Sequence, residues 1–397
     1  GIERNRSRVP VFSPYLPSVA PASGRIAIMK AQGGTFVKSG WRKRLDLIVV
    51  GVVVLSLGLL AYVHRGVDAA EVDLHDGGVW VTNGSRHMVA HLNYQSQTLD
   101  GGLRTATSEF DVSQSGTDVL VASPTSVQPL DTATVSFTGD SSTVGVEVAQ
   151  GGSTVLFADA AQGKVWASTV ADAGGFSAAS DPSIEELDRP RVAVGLDGAG
   201  YVLTADGLVR SVRGSGAEVD VKERGRIHGE VSAEAQLSVA GSTLLVLDGG
   251  LLRTTEREVD LGVDTAALQQ PSNSGDEAVV ATRDSLLRIP LRGGEPSRQQ
   301  AASGRPAAPV LVDGCAYGVW AGSGHYVRDC SDDTFDHAAQ YPELAGAKEP
   351  AFRVNRSVIV INDLVGGNVY LPLESMQRVD NWDLIAAQIE QSDTQED

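Results

Sequence analysis

The sequence lacks the short motifs that mark most catalytic and nucleotide-binding folds. It contains no Gly-x-Ser-x-Gly nucleophile elbow, no glycine-rich phosphate loop leading into a helix, and no twelve-residue calcium loop. Only His87 and His91 are close together among the seven histidines, and on one strand they would lie about 13 Å apart. We therefore predict no catalytic residue, no cofactor and no metal site, and a protein that is not an enzyme.

Two groups of residues could instead form a catalytic site or a metal site. Ser323, His325 and Asp329 could form a hydrolase triad, although Gly322-Ser323-Gly324 is better explained as a hairpin turn. The acidic run 332–336 could bind Ca²⁺, but a solvated turn in an acidic protein explains it more simply.

Aromatic residues are scarce, at 5% of the chain, whereas 44 residues are glycine. This balance is typical of many short strands joined by tight turns, and it argues against a helical bundle or a long coiled coil. A chain of 397 residues with 42% hydrophobic residues can bury a substantial core in one large β domain or in two to three smaller ones.

One hairpin phrase recurs along the chain: an apolar run, a tight polar turn and a second apolar run ending in Arg. The three best copies are Tyr201–Arg210, Leu244–Arg253 and Val279–Arg288. With looser copies the phrase begins near residues 78, 117, 153, 200, 243, 277, 314 and 356, at intervals of 34 to 47 residues. About 40 residues is the size of a four-stranded propeller blade.

We therefore predict an all-β fold, a β-propeller of seven or eight four-stranded blades, over residues 72–380. A string of sandwich domains is the alternative, but it needs about seven strands per 100 residues rather than one hairpin per 40.

Arg210, Arg253 and Arg288 end the three best copies and are the candidate ligand-binding residues. The same register in three successive blades would place them on one ring of the propeller. At the channel mouth they could bind a carboxylate or phosphate of a wall polymer. The alternative is that they point outward and pair with the acidic surface.

The two cysteines, Cys315 and Cys330, are symmetrical about Gly322-Ser323. A two-residue turn there places them opposite each other, about 4.5 to 5.5 Å apart at Cα and within disulfide range. We predict a cross-strand disulfide, which requires an oxidising compartment, with two buried free thiols as the alternative.

Residues 47–63 form an uncharged apolar run of 17 residues, preceded by the basic cluster 42–44. This length spans a bilayer as a helix, and the basic flank places the N-terminus in the cytoplasm. We predict a transmembrane signal anchor after a disordered basic cytoplasmic segment, 1–46, whose natural start is Met29. The predicted location is the cell membrane, single-pass, with the C-terminal domain extracellular. Cleavage of a signal peptide near Val67-Asp68-Ala69 is the alternative.

Residues 47–397 carry 48 acidic and 23 basic side chains, a net charge of −25. This charge disfavours nucleic acid and anionic lipid surfaces as partners. We predict that residues 381–397 form an acidic linker or tail. Residues 388–397 are rich in Glu, Gln and Asp, and this composition predicts a disordered tail or the start of a linker.

Four segments resemble the N-terminal region of large actinobacterial envelope proteins: Gly77–Arg86, Val354–Asp363, Gly367–Glu374 and Val379–Trp382. In that family a single membrane anchor and a propeller-like region precede an acidic linker and many Ig-like or fibronectin type III repeats. The resemblance covers roughly residues 42–390 and ends where the family's linker begins. It implies an envelope role without an established reaction.

The sequence thus predicts a membrane-anchored extracellular propeller that acts as an envelope scaffold or binding module for a protein or wall glycan. One alternative is a propeller-type glycan hydrolase or lyase, which a carboxylate pair or a histidine cluster at the channel would favour. Another is a membrane-anchored surface sensor. The sequence does not indicate an oligomeric state.

Overall fold

The computed structural model describes the backbone of residues 77–216, 218–263 and 265–396, with side chains up to residue 391. The cytoplasmic segment predicted at 1–46 and the membrane anchor predicted at 47–63 lie outside these residues. Within the described part of the chain, no helix is long and apolar enough to cross a membrane.

Eight antiparallel sheets follow one another along the described chain, and each is one blade of a β-propeller. Blade 1 contains β1 (Gly78–Asn83), β2 (Met88–Asn93) and β3 (Thr98–Arg104). Blade 2 contains β4 (Asp111–Ser115), β5 (Asp118–Ala122), β6 (Ser126–Asp131), β7 (Ser136–Phe137) and β8 (Ser141–Ser142). Blade 3 contains β9 (Glu147–Gly151), β10 (Thr154–Asp159) and β11 (Lys164–Thr169). Blade 4 contains β12 (Arg191–Val194), β13 (Gly200–Leu203), β14 (Leu208–Ser215) and β15 (Glu218–Arg226).

The second half of the ring has the same order of elements. Blade 5 contains β16 (Gln236–Ala240), β17 (Thr243–Asp248), β18 (Leu251–Arg253) and β19 (Glu258–Asp260). Blade 6 contains β20 (Ala266–Leu268), β21 (Glu277–Thr282), β22 (Ser285–Pro290) and β23 (Ser297–Gln300). Blade 7 contains β24 (Arg305–Pro306), β25 (Val310–Val312), β26 (Cys315–Ala321), β27 (His325–Cys330) and β28 (His337–Gln340). Blade 8 contains β29 (Pro350–Asn355), β30 (Val358–Asp363), β31 (Val369–Leu371) and β32 (Gln377–Val379).

Three helices accompany the blades: α1 (Val170–Ala173), α2 (Pro342–Ala345) and α3 (Trp382–Glu396). Two 3-10 turns are present at Gly84–Arg86 and Asp333–Phe335.

The predicted all-β propeller is confirmed, and the described ring has eight blades. Four blades have the expected four strands, whereas blades 1 and 3 have three and blades 2 and 7 have five. The recurring hairpin begins at the second strand position of a blade, which β5, β10, β13, β17, β21 and β30 occupy. In blade 1 this strand is β1, so no strand among the described residues lies on its channel side.

The second strands are apolar on both faces because each blade packs between two neighbours. In β17, Leu244 and Val246 pack against blade 4, while Leu245 and Leu247 pack against blade 6. All four side chains are buried. This two-sided burial produces continuous apolar runs rather than the alternating pattern of a half-exposed sheet.

Side-chain amides bind the edge of β1 that faces away from β2. Gln114 Oε1 accepts a hydrogen bond from the Trp80 N–H at 2.9 Å. Asn362 accepts one from the Thr82 N–H at 2.8 Å and donates one to the Thr82 carbonyl at 2.9 Å. A buried backbone group without a partner costs free energy, so these amides stabilise β1 in place of a neighbouring strand.

Side chains also join β29 of blade 8 to β4 of blade 2, next to the edge of β1 that faces away from β2. Arg353 Nη1 donates to the Val112 carbonyl at 3.0 Å, and Arg353 also pairs with Asp111. Asn355 Oδ1 accepts a hydrogen bond from the Gly116 N–H at 3.0 Å. The inner ring between blades 8 and 2 is therefore closed by side chains.

Helix α3 lies in the segment predicted as an acidic linker or tail, residues 381–397. Trp382 and Ile385 are buried against blades 1 and 8, and Ile389 packs on the same cluster. The Trp382 Nε1–H donates to the Gly367 carbonyl at 2.6 Å. These apolar residues follow helical spacing, i, i+3 and i+7, which the acidic average composition of the segment hides.

The docking of α3 predicts a large difference between two substitutions on this helix. Trp382→Ala removes a side chain that is 2% exposed and should lower the free energy of unfolding by about 3–5 kcal/mol. Leu384→Ala alters a side chain that is 62% exposed and should change it by less than about 0.5 kcal/mol. Equilibrium denaturation of both variants checks this, and equal losses would contradict the docking.

Candidate binding site

The predicted disulfide is confirmed. Cys315 and Cys330 are bonded to each other, and they lie opposite each other in the β26–β27 ladder as the hairpin symmetry predicts. Their Cα atoms are 3.9 Å apart, closer than the 4.5 to 5.5 Å expected for an opposed pair. The bond lies beside Gly314, at the turn from β25 to β26.

Arg253 is buried between blades 4 and 5, with 5% of its surface exposed. Its guanidinium contacts Asp248 at 2.6 Å and donates to the carbonyls of His228 and Glu230 at 2.9 and 3.2 Å. Burial acts to raise the pKa of Asp248, but hydrogen bonds from Ser232 and the Arg253 charge outweigh it and lower this pKa. Arg253 therefore joins two blades.

Arg288 is placed in the same way between blades 6 and 7. It donates to both carboxylate oxygens of Glu277, at 2.9 and 2.6 Å, and to the carbonyls of Asp329 and Gly314, each at 3.1 Å. Hydrogen bonding to Glu277 raises the pKa of Arg288, while burial raises the pKa of Asp329. The five donors of a guanidinium suit this bridging role.

The three repeated arginines do not share one ring. Arg210 lies half-buried on β14, opposite Val202 and Glu223. Arg210 and Arg253 face the preceding blade, whereas Arg288 faces the following one. The strand registers differ between the copies, and a one-residue shift reverses the face of a side chain. None of the three lines the central cavity.

A cavity of about 800 Å³ occupies the centre of the propeller. Residues from every blade except blade 5 line it, including the whole of β4 and the open edge of β1 at Val79 and Trp80. Gln270 extends from blade 6 to blade 8, where its Nε2 donates to the Phe352 carbonyl at 2.9 Å.

The turns from inner to second strands form the rim of this cavity. Two non-glycine residues in these turns, Asp313 and Arg356, have left-handed backbone conformations with φ of 49° and 57°. Both line the cavity, together with the hydroxyl groups of Ser115 and Ser357. Each occupies a two-residue hairpin turn, Asp313-Gly314 or Arg356-Ser357, in which a left-handed backbone is the usual conformation.

A second cavity of about 580 Å³ adjoins the first and shares Gln150, Gln270 and Pro271 with it. The first residues of β9, β12 and β16 line it. Arg191 donates to both carboxylate oxygens of Glu147 there, at 2.8 and 3.0 Å. The central space therefore extends from the turn end of the inner strands to their opposite end.

The structure does not assemble the alternative hydrolase triad. His325 Nδ1 accepts a hydrogen bond from the Ala302 N–H at 3.0 Å, and Ser323 Oγ donates to the Ala302 carbonyl at 3.3 Å. Asp329 lies toward the other end of β27, beside Arg288. Among the described residues, no group of three His, Cys, Asp or Glu side chains is arranged to hold a metal ion.

No protein-family model and no curated protein matches the chain. Among solved structures it is similar to dihydro-heme d1 dehydrogenase NirN in complex with DHE, with 14% identity and a TM-score of 0.52 over 81% of this chain and 76% of that one. It is also similar to AztD of Citrobacter koseri, with 11% identity and a TM-score of 0.47 over 68% of this chain and 85% of that one. BamB from Moraxella catarrhalis has 12% identity and a TM-score of 0.46 over 74% and 92%. At this identity the likeness to NirN supports the propeller fold alone.

The contacts of Arg288 predict a stability effect that an exposed arginine lacks. Arg288→Met leaves the mostly buried Glu277 without its cation and should lower the free energy of unfolding by about 3 kcal/mol. Arg292→Met removes an ion pair whose partners are 85% and 81% exposed, and should cost less than about 1 kcal/mol. Denaturant titration distinguishes the two variants. If Arg288→Met left the free energy of unfolding unchanged, the bridge between blades 6 and 7 would be dispensable.

His325 predicts a loss of stability in mild acid. Burial lowers its pKa, so the unfolded chain takes up this proton at a higher pH than the folded protein does. Stability is therefore full above the unfolded pKa, about 6.5, and decreases as the pH falls from there toward the folded value. His325→Asn keeps an acceptor near the Ala302 N–H but does not titrate. From pH 7 to pH 5 the wild type should therefore lose more free energy of unfolding than His325→Asn does. An equal change in both proteins, measured by denaturant titration, would contradict the prediction.

Proposed function

We propose that this chain is a binding module of the cell envelope. The apolar segment 47–63 anchors it in the membrane, and the propeller outside binds a protein segment or a wall glycan in its central cavity. The observation that carries this proposal is the cavity of about 800 Å³, which polar and apolar residues of seven blades line. Ligand sites of proteins commonly enclose about 300 to 1,000 Å³.

The walls of the cavity are held in place by hydrogen bonds. Gln150 Nε2 donates to the Asp118 carbonyl at 3.1 Å, and Gln270 is bound to blade 8. Side chains that are already ordered lose little conformational entropy when a ligand enters. The cavity is thus suited to binding without rearrangement of its walls.

The lining favours a ligand without a large net charge, and it offers both apolar contacts and hydrogen bonds. Asp111 pairs with Arg353, so these two charges balance each other. Asn273 and Ser274, at the loop after β20, add an amide and a hydroxyl group that both donate and accept hydrogen bonds. Sugars and the backbone of a protein loop offer matching donors and acceptors.

The exported location has separate support. The bond between Cys315 and Cys330 is of a kind that persists in oxidising compartments and is rare in the cytosol. The net charge of −25 over residues 47–397 suits a soluble exposed domain.

Site-specific photo-crosslinking tests where the ligand binds. A benzophenone amino acid in place of Ser274, in the full chain in intact cells, should form an adduct with an envelope protein or wall fragment within reach of the cavity. The same replacement at the exposed Ser297, on β23, is the matched control and should form little or none. Mass spectrometry of the adducts identifies the ligand.

Two results would contradict the cavity as the binding site. One is an absence of adducts at residue 274 although the variant is expressed and folded. The other is the same adducts, in equal yield, at residues 274 and 297.

A further inference from the structure

Strand β15 differs from the last strands of the other blades in its length. It has nine residues, whereas β19, β23, β28 and β32 have three, four, four and three. Short outer strands limit the number of unpaired backbone groups at the edge of a sheet. Blade 4 therefore has an unusually long outer edge.

Blade 1 shows how a long outer edge is covered elsewhere in this protein. Its last strand, β3, has seven residues, and α3 packs on it. Asn381, just before α3, binds the edge of β3: its Oδ1 accepts a hydrogen bond from the Leu99 N–H at 3.0 Å, and its Nδ2 donates to the Leu99 carbonyl at 2.9 Å. Strand β15 is the last strand of its sheet, and residues 220–224 are all exposed.

The charges along β15 are arranged with opposite signs at its two ends. Glu218 and Asp220 lie in the first half, and Lys222 and Arg224 lie in the second. Glu218, Asp220 and Lys222 alternate along the strand and share one face of the sheet, whereas Arg224 lies at a β-bulge, between the pairs Arg210–Glu223 and Val209–Gly225. Val221, on the other face, is 37% exposed.

We propose that β15 pairs in antiparallel fashion with β15 of a second copy of this chain, around a two-fold axis at Val221. In this register Asp220 lies opposite Lys222 of the other copy, and Glu218 lies near the bulge of the other copy that contains Arg224. Each ion pair occurs twice because the interface is isologous. The two sheets become one continuous sheet through the backbone groups that β14 does not use.

Charge selects this register over its neighbours. An axis at Lys222 would place the two Lys222 side chains opposite each other, and an axis at Asp220 would do the same with two carboxylates. Directly opposed like charges destabilise a strand pair. With the axis at Val221, Asp220 and Lys222 of each copy meet a residue of opposite sign in the other.

The contact is a single strand pair, so its area is small and the association should be weak and dependent on concentration. The ion pairs are exposed: Lys222 and Asp220 are 63% and 59% exposed within one chain. Salt should therefore weaken the dimer, because the Debye length falls to about 3 Å at 1 M ionic strength.

Disulfide trapping tests the two-fold axis. The described chain has no free cysteine, so Val221→Cys introduces one new reactive thiol among the described residues. Opposed residues of an antiparallel pair lie about 4.5 to 5.5 Å apart at Cα, within disulfide range. Mild oxidation of the full-length Val221→Cys chain should give a covalent dimer, whereas Val144→Cys, at a residue that is 69% exposed, should not.

Charge substitution tests the register. In the Val221→Cys background, Asp220→Lys places like charges opposite each other twice and should reduce the rate of dimer trapping at least about fivefold. Adding Lys222→Asp exchanges the two signs and should restore the rate. Both residues are exposed, so the fold should tolerate these changes.

Three outcomes would overturn the proposal: no trapped dimer with Val221→Cys, equal trapping with Val144→Cys, or no rescue by the charge exchange. The first of these would also be the result if β15 binds a strand of a different protein.

Discussion

Side-chain hydrogen bonds among blades 8, 1 and 2 hold this ring together. The edge of β1 away from β2 is bound by Gln114 and Asn362 rather than by another described strand. Arg353 and Asn355 join β29 to β4 across the same position. A sheet that does not close leaves unpaired edges and an incomplete core, so the packing of all eight blades depends on this closure.

The central cavity follows from the same arrangement. An amide or a guanidinium satisfies backbone groups but fills less space than a strand with its own side chains. Val79 and Trp80 of β1 line the cavity. The stability of the ring and the shape of the candidate site are thus properties of one set of contacts, and residues that close the ring also line the site.

Arginine is the residue that most often joins neighbouring blades here. Arg191, Arg253, Arg288 and Arg353 each bind a carboxylate and at least one backbone carbonyl of another segment. A guanidinium carries five donors in a plane and can bind a carboxylate and carbonyl groups at once. The repeated Arg of the hairpin phrase, predicted as a candidate ligand-binding residue, joins blades in two of its three copies. The differing registers of the hairpins, which the phrase does not reveal, decide which neighbour each one meets.

The sequence by itself determined the local features: the strand pairs, the second-strand position of each hairpin and the pairing of Cys315 with Cys330. These depend on residues a few positions apart, whose register a tight turn dictates. The helical spacing of Trp382, Ile385 and Ile389 is also present in the sequence, but the acidic average composition of this segment hides it. Only the tertiary structure decided the number of blades, the closure of the ring and the cavity, because these depend on contacts such as Thr82 with Asn362, which are 280 positions apart. No local pattern specifies which distant side chain will hydrogen-bond to an open strand edge. These long-range contacts close the ring, and the ring encloses the candidate site.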